Sequence, residues 1–93
     1  EIKRNNRNIK ANNIKIVEDA AQSFGSKLSN KKFLGTIGDL GAFSFYPSKT
    51  LGGIGDGGMV ATNNRNYFNL LTKLKNHGQS TNYEHKIIGT NSR

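Results

Sequence analysis

The stretch DLGAFSFYPSKTLGGIGDGGMVAT, residues 39–62, decides the fold of this chain. Its first part, residues 39–46, is apolar with several small residues and predicts a buried strand. Pro47 is expected to end that strand, because proline lacks the amide hydrogen that a sheet ladder needs. Five glycines between residues 52 and 58 predict tight turns and close backbone approach. Residues 59–62 then predict a second short strand, so the stretch forms a strand–loop–strand unit.

Upstream of this unit, residues 14–17 form a β-branched run that predicts another strand. Glu18 and Asp19 follow it directly, which puts two carboxylates at the carboxyl end of the strand. Ligands of α/β sheets bind at that edge. Residues 20–32 predict a loop or a short helical turn.

Downstream, residues 65–76 predict an amphipathic helix, because their large apolar residues recur at helical spacing. Asn63 or Asn64 is expected to cap its start and Gly78 to cap its end. Residues 79–93 are polar and predict a loop. The apolar residues of the helix are Tyr67, Leu70, Leu71 and Leu74, and they indicate core packing instead of a site.

Composition limits the class of protein. The chain has 93 residues, of which 33% are hydrophobic, which is little for a self-sufficient core. It has no cysteine, so disulfides and thiolate metal sites are excluded, and two histidines are too few for a metal cluster without carboxylates. No apolar run is long enough for a membrane span. We expect a soluble cytoplasmic protein that binds no membrane.

The net charge of +8 raises the alternative of a basic nucleic-acid-binding module. The basic residues crowd the first fifteen residues, of which residues 1–12 are expected to be a helix tail or a loop, and the polar loop at residues 27–32. No aromatic residues interleave with these runs, so solvated faces are the better interpretation and no nucleic-acid partner is expected.

Lys49 and Asp19 are the candidate site residues that the pattern alone provides. Ser48-Lys49-Thr50 is not a phosphate-binding loop, because glycine is missing immediately before the lysine and five residues earlier. Most lysines are solvated, but Lys49 is the single basic residue between Phe33 and Asn64. A protected lysine amine can attack a carbonyl. By residue type alone, Asp19 is better explained as a turn or cap residue than as a site residue.

Several motifs, in order, resemble the DegT-type family of sugar aminotransferases, which use pyridoxal 5′-phosphate (PLP). Residues 17–25, VEDAAQSFG, resemble the family's E-D-A-A-Q segment, and residues 41–52 resemble its cofactor-lysine segment. Residues 55–62 match G-D-G-G-M-V-x-T, and two later segments match residues 76–79 and 89–93. The resemblance covers nearly the whole chain.

The resemblance implies a role for each matched residue. Lys49 would bind the PLP aldehyde covalently and then serve as the proton-transfer base. Asp19 would pair with the pyridine nitrogen, Gln22 would contact the ring's 3-oxygen, and Ser44 would hydrogen-bond the phosphate. Asn91 would reach the phosphate of a neighbouring subunit, which implies a homodimer. No firm catalytic role follows for Glu18 or His77, and a structural helix-end role suits His77 as well.

The same resemblance implies the fold and the reaction. Residues 1–93 would be part of the large three-layer α/β/α domain of a type I PLP-dependent aminotransferase. The family transfers an amino group, usually from glutamate, to a nucleotide-linked keto sugar, commonly for polysaccharide precursors. The family's amino-terminal phosphate loop, stacking aromatic residue and carboxyl-terminal domain are not found in these residues. We therefore expect the chain alone to be poorly stable and inactive, and an inactive remnant of such an enzyme is an alternative.

Overall fold

The computed structural model describes residues 11–81 and 83–91. The expected helix tail or loop at residues 1–12 therefore lies almost entirely outside the described residues. The elements in chain order are β1 (Val17–Asp19), β2 (Leu40–Ser44), β3 (Gly58–Ala61), α1 (Arg65–Leu74), β4 (Gln79–Thr81) and β5 (Glu84–His85).

Strands β1, β2 and β3 form one sheet in that order, with β2 in the centre. β1 runs parallel to β2, with Asp19 beside Ala42, and β3 runs antiparallel to β2, with Gly58 beside Ser44. Side chains alternate between the two sides of a strand. Asp19, Ala42 and Ser44 therefore share one side of the sheet, which we call the open face. Glu18 lies on the opposite side, which we call the packed face.

The packed face is covered by the connection between β1 and β2. Gly35 lies so close to the sheet that a Cβ added to it would overlap the Phe43 ring, and a Cβ added to Gly41 would overlap the Gly35 backbone. The ring of Phe24 makes edge contacts with Phe43 and Phe45, at 5.9 and 6.0 Å between ring centroids. Glycine at positions 35 and 41 thus lets the connection rest directly on the strands.

The predicted bounds of the first two strands were wrong. β1 begins at Val17, because the backbone N–H of Ile16 donates to the Asp39 carboxylate instead of to a neighbouring strand. Glu18 and Asp19 consequently lie inside β1 and not after it. β2 ends at Ser44, well before Pro47, and its residues are mostly half-buried. It ends early because the Ser44 hydroxyl oxygen accepts the Tyr46 N–H and turns the chain.

The predicted helix is present as α1, and Asn64 caps it. The Asn64 side chain accepts hydrogen bonds from the N–H groups of Asn66 and Tyr67, at 2.9 and 3.2 Å. The carboxyl-terminal cap is Lys75, so the prediction of Gly78 was wrong. Gly78 has a φ of 77° and donates its N–H to the Lys73 carbonyl, which turns the chain away after the helix.

The prediction of a loop over residues 79–93 was also wrong. β4 and β5 pair as a short antiparallel hairpin that packs against α1. The chain then returns to the helix, where the Thr90 N–H donates to the Leu74 carbonyl and the His77 N–H donates to the Thr90 carbonyl. This returning segment satisfies a carbonyl that the end of a helix otherwise leaves without a partner.

The described residues have almost no hydrophobic core. Ala20 is the only buried hydrophobic residue among them, whereas side chains such as Val17, Val60 and Phe68 are about half exposed or more. The shape is correspondingly flat, with extents of 45 × 38 × 15 Å. No helix in residues 11–81 and 83–91 is long and apolar enough to cross a lipid bilayer.

Candidate active site

Asp19 and Ser44 stand at the carboxyl ends of neighbouring parallel strands, both on the open face. Ala42 lies between them, and the residue beside Ser44 on β3 is Gly58. Strand spacing and rise put the Cα atoms of Asp19 and Ser44 within about 8 Å of each other. The open face therefore carries a carboxylate and a hydroxyl, separated by small side chains that leave room for a flat ligand.

Asp19 is held in place by the turn that follows it. The Ala20 N–H extends the parallel ladder by donating to the Ala42 carbonyl at 2.8 Å. The Ala21 N–H donates to Asp19 Oδ1 at 3.1 Å. The side chain is exposed rather than buried, and no hydrogen bond to its Oδ2 atom is found within the described part of the chain. This oxygen is therefore available to a ligand on the open face.

Gln22 lies in the turn directly after β1, and its side chain is exposed. The turn is closed by the Ser23 N–H, which donates to the Ala20 carbonyl at 3.1 Å. Gln22 therefore stands at the same edge of the sheet as Asp19, three residues further along the chain.

Lys49 lies in the loop that follows β2, and its N–H donates to the Tyr46 carbonyl at 2.9 Å. The Gly53 N–H closes this loop by donating to the Phe45 carbonyl at 2.8 Å. Gly52 approaches Pro47 so closely that an added Cβ would overlap the Pro47 carbonyl. The glycine-rich stretch thus builds the loop that carries Lys49. The lysine is half-buried, and its amine forms no ion pair with any described residue.

Asn91 lies apart from the sheet. Its backbone forms an isolated antiparallel bridge with Asn76, just after α1, and it does not pair with β1 or β2. The structure therefore brings Asp19, Gln22 and Ser44 to one edge of the sheet, with Lys49 in the next loop, and puts Asn91 beside the end of the helix.

His77 has a structural position in the same region as Asn91. Its φ of 54° is left-handed, and its carbonyl lies 2.8 Å from Nδ1 of His85. A carbonyl can only accept, so Nδ1 of His85 carries the hydrogen in this contact. Among residues 11–81 and 83–91, no group of three His, Cys, Asp or Glu side chains is arranged to hold a metal ion.

Glu18 has a role that the sequence did not indicate. Its Oε1 accepts the N–H groups of Ile37 and Gly38, each at 2.6 Å, and its Oε2 accepts the Gly35 N–H at 2.8 Å. Burial raises the pKa of Glu18, but the hydrogen bonds from Gly38, Gly35 and Ile37 outweigh it and hold the pKa below its ordinary value of 4.5. Glu18 is therefore ionised at neutral pH and bound to the connection on the packed face.

The site thus combines a carboxylate on one strand of an α/β sheet, a hydroxyl on the next strand and a lysine in the following loop. The family model of the DegT/DnrJ/EryC1/StrS aminotransferase family matches residues 2–93. The chain belongs to this family.

Individual relatives agree with this assignment. A UDP-N-acetyl-3-dehydro-α-D-glucosamine 3-aminotransferase from Acidithiobacillus ferrooxidans is 45% identical over 80 residues, which are 86% of this chain and 21% of the relative. A dTDP-3-amino-3,4,6-trideoxy-α-D-glucose transaminase from Streptomyces venezuelae is 45% identical over 78 residues, which are 84% of this chain and 20% of the relative.

A solved structure extends the agreement to the fold. The crystal structure of S. venezuelae DesV in complex with a ketimine intermediate superposes with a TM-score of 0.87 at 38% identity, over 100% of this chain and 25% of DesV. The chain thus spans about a fifth of the length of the curated relatives it matches and a quarter of DesV. Its fold is part of an α/β aminotransferase domain, as the sequence predicted.

Proposed function

We propose that residues 1–93 are part of the large domain of a PLP-dependent aminotransferase. The enzyme would transfer an amino group from an amino-acid donor to a nucleotide-linked keto sugar. Glutamate is the usual donor in the family. The observation that carries this proposal is the shared open face of Asp19 and Ser44, with Lys49 in the loop after β2. We further propose that the protein works in the cytoplasm and supplies precursors of surface polysaccharides.

The residues of the open face fit PLP chemically. Asp19 presents a carboxylate oxygen that could pair with the protonated ring nitrogen, and the small residues Ala42 and Gly58 leave space for a flat ring. Ser44 could donate its hydroxyl hydrogen to a phosphate oxygen while its oxygen keeps the Tyr46 N–H. Gln22, exposed in the turn after β1, could reach the ring's 3-oxygen.

Lys49 would supply the reactive amine. Bound PLP acts as an electron sink for the carbon that bears the amino group. Lys49 Nζ would hold the cofactor in its resting state and, once released by the substrate, move a proton to and from that carbon. The absence of an ion pair at Nζ among the described residues leaves the amine available for this chemistry.

The proposed partners follow from the names of the relatives and from the position of Asn91. The two curated relatives are named for amino sugars linked to UDP and dTDP, which supports a nucleotide-linked sugar as the substrate class. Asn91 lies beside the end of α1, away from the strands that carry Asp19 and Ser44. This separation supports a homodimer in which Asn91 serves the phosphate site of the other subunit.

The test uses the complete protein, meaning the product of the whole reading frame that contains these residues. We expect a visible absorption band after addition of PLP, and borohydride should fix PLP to the peptide that contains Lys49. Lys49→Ala should abolish both results completely. Lys32→Ala, which removes an exposed lysine from the connection between β1 and β2, is the matched control and should change neither.

Two results would contradict the proposal. If the complete protein takes up no PLP, the motifs persist by descent alone and the protein is an inactive remnant. If Lys49→Ala retains the band and the borohydride adduct, another lysine holds the cofactor. Binding of duplex or single-stranded nucleic acid with strong salt dependence would instead favour the basic-module alternative.

A further inference from the structure

We propose that Glu18 is a positioning residue of this site, which fixes the strand β1 so that the neighbouring Asp19 presents its carboxylate to the cofactor. This inference rests on the proposed function, because it concerns the residue that would pair with the PLP ring nitrogen. It adds a residue that touches neither the cofactor nor the substrate.

The first argument is the set of bonds that Glu18 makes. One carboxylate accepts three backbone N–H groups, from Gly35, Ile37 and Gly38, at 2.6 to 2.8 Å. Hydrogen bonds to an ionised acceptor are shorter and stronger than neutral ones. Three such bonds tie the middle of β1 to a loop that lies 17 to 20 residues further along the chain. No other side chain in the described ranges accepts three backbone N–H groups.

The second argument is that the loop itself is fixed to the sheet. Gly35 rests on Gly41 and on the Phe43 ring, so it has no room to move toward β2. At the other end of the loop, the Asp39 carboxylate accepts the Ile16 N–H at 2.9 Å, and the Asp39 carbonyl accepts the Thr62 hydroxyl at 2.8 Å. Glu18 therefore binds β1 to a loop that is itself fixed to the sheet.

The third argument is the geometry of β1. Glu18 and Asp19 are consecutive in a strand of three residues, and their side chains point to opposite faces. A shift or rotation of the backbone at residue 18 must therefore displace Asp19 as well. Of the three residues of β1, only Glu18 places its side chain on the packed face, so its three bonds are the side-chain hydrogen bonds of the strand on that face.

The test is a double-mutant cycle on the Kd for PLP in the complete protein, measured by absorbance titration. Its four members are the unaltered protein, Glu18→Gln, Asp19→Asn and the double variant. In Glu18→Gln, an amide NH2 group replaces one carboxylate oxygen and faces a backbone N–H. Because two donors cannot form a hydrogen bond, part of the attachment is lost. Glu84→Gln, on an exposed glutamate paired with Lys86, is the matched control and should leave the Kd unchanged.

If Glu18 acts through Asp19, Glu18→Gln weakens PLP binding by about tenfold in the unaltered protein and by less than about twofold when Asp19 is already asparagine. Glu18→Asp keeps the charge but shortens the reach, and its loss of affinity should be intermediate. Glu18→Asp also replaces Glu18→Gln in the cycle if the glutamine variant does not fold.

Three outcomes overturn the inference, and they can be told apart. An equal loss of affinity in both backgrounds, or a lower melting temperature with an unchanged Kd, leaves Glu18 as a purely structural residue while the proposed function stands. If the unaltered protein binds no PLP, the proposed function falls and the inference falls with it.

Discussion

At the scale of single residues, the bonds of Glu18 make the stability of the protein sensitive to acid. The pKa of Glu18 is held below 4.5 in the folded chain, so folding favours its ionised form. The stabilisation is therefore complete well above pH 4.5 and is lost as the pH falls through the lowered folded-state pKa.

We expect Glu18→Gln to lower the free energy of unfolding of the complete protein by about 1–3 kcal/mol at pH 7. The difference between the two proteins should be smaller at pH 3 than at pH 7, because the stabilisation declines as the pH falls below the ordinary value of 4.5. Urea denaturation at both pH values measures it. A difference that is the same at pH 7 and pH 3 would show that the charge of Glu18 is not what stabilises the loop. Glu84→Gln should be close to neutral at pH 7.

The sequence predicted the residues of the open face but not the role of Glu18. Asp19, Ser44 and Lys49 could be named because they lie within long motifs. The partners of Glu18 are backbone N–H groups, which every residue except proline possesses, so the bond leaves no pattern in the sequence. The same is true of Asp39, whose carboxylate binds the backbone of Ile16.

At the scale of elements, the contact between β2 and its covering loop requires glycine. We expect Gly41→Ala to destabilise the complete protein by about 1–3 kcal/mol, because the added methyl group would overlap the Gly35 backbone. Gly57→Ala is the matched control, since its new Cβ would lie 3.5 Å from Phe45 Cβ, an ordinary contact distance. Equal melting temperatures for the two variants would mean that the loop does not rest on β2.

The cap of α1 is a second testable element. Asn64→Ala removes the acceptor of two N–H groups at the start of the helix and should cost about 1 kcal/mol. Asn63→Ala alters a neighbouring exposed asparagine that makes no side-chain hydrogen bond to the described residues, and it should be neutral. Thermal unfolding measures the stability of both variants. Equal losses of stability would contradict the assignment of Asn64 as the cap.

Elements with a strong periodic pattern were predictable, and short irregular ones were not. The leucine spacing identified α1 to within two residues of its end. The hairpin of β4 and β5 was missed because its strands have three and two residues and are entirely polar. Its pairing depends on the helix it packs against, which a local pattern does not contain.

At the scale of the whole molecule, the described residues form a flat layer with almost no interior. The radius of gyration is 15.4 Å, whereas a compact domain of this length has about 12 Å. Apolar side chains on both sides of the sheet, such as Val60 and Met59, are only about half covered by the described residues. The free energy that orders this layer must therefore come largely from polypeptide that packs against it.

We expect the 93-residue chain alone to lack a cooperative unfolding transition and to bind no PLP. A chimera in which these residues replace the matching quarter of DesV should unfold cooperatively and bind PLP, because the remaining three quarters of DesV would supply the polypeptide that the isolated residues lack. Differential scanning calorimetry and absorbance titration compare the two. A sharp transition with bound PLP in the isolated chain would overturn this expectation.

The strand order of the sheet predicts how the chain behaves when it is made without the rest of a domain. Within the described residues, β1 and β3 each pair on one side only, so both borders of the sheet present unpaired backbone N–H and C=O groups. Such borders are templates for strand addition by another molecule. The chain made alone is thus expected to self-associate into aggregates as its concentration rises. The same borders would accept neighbouring strands where these residues are part of a larger domain.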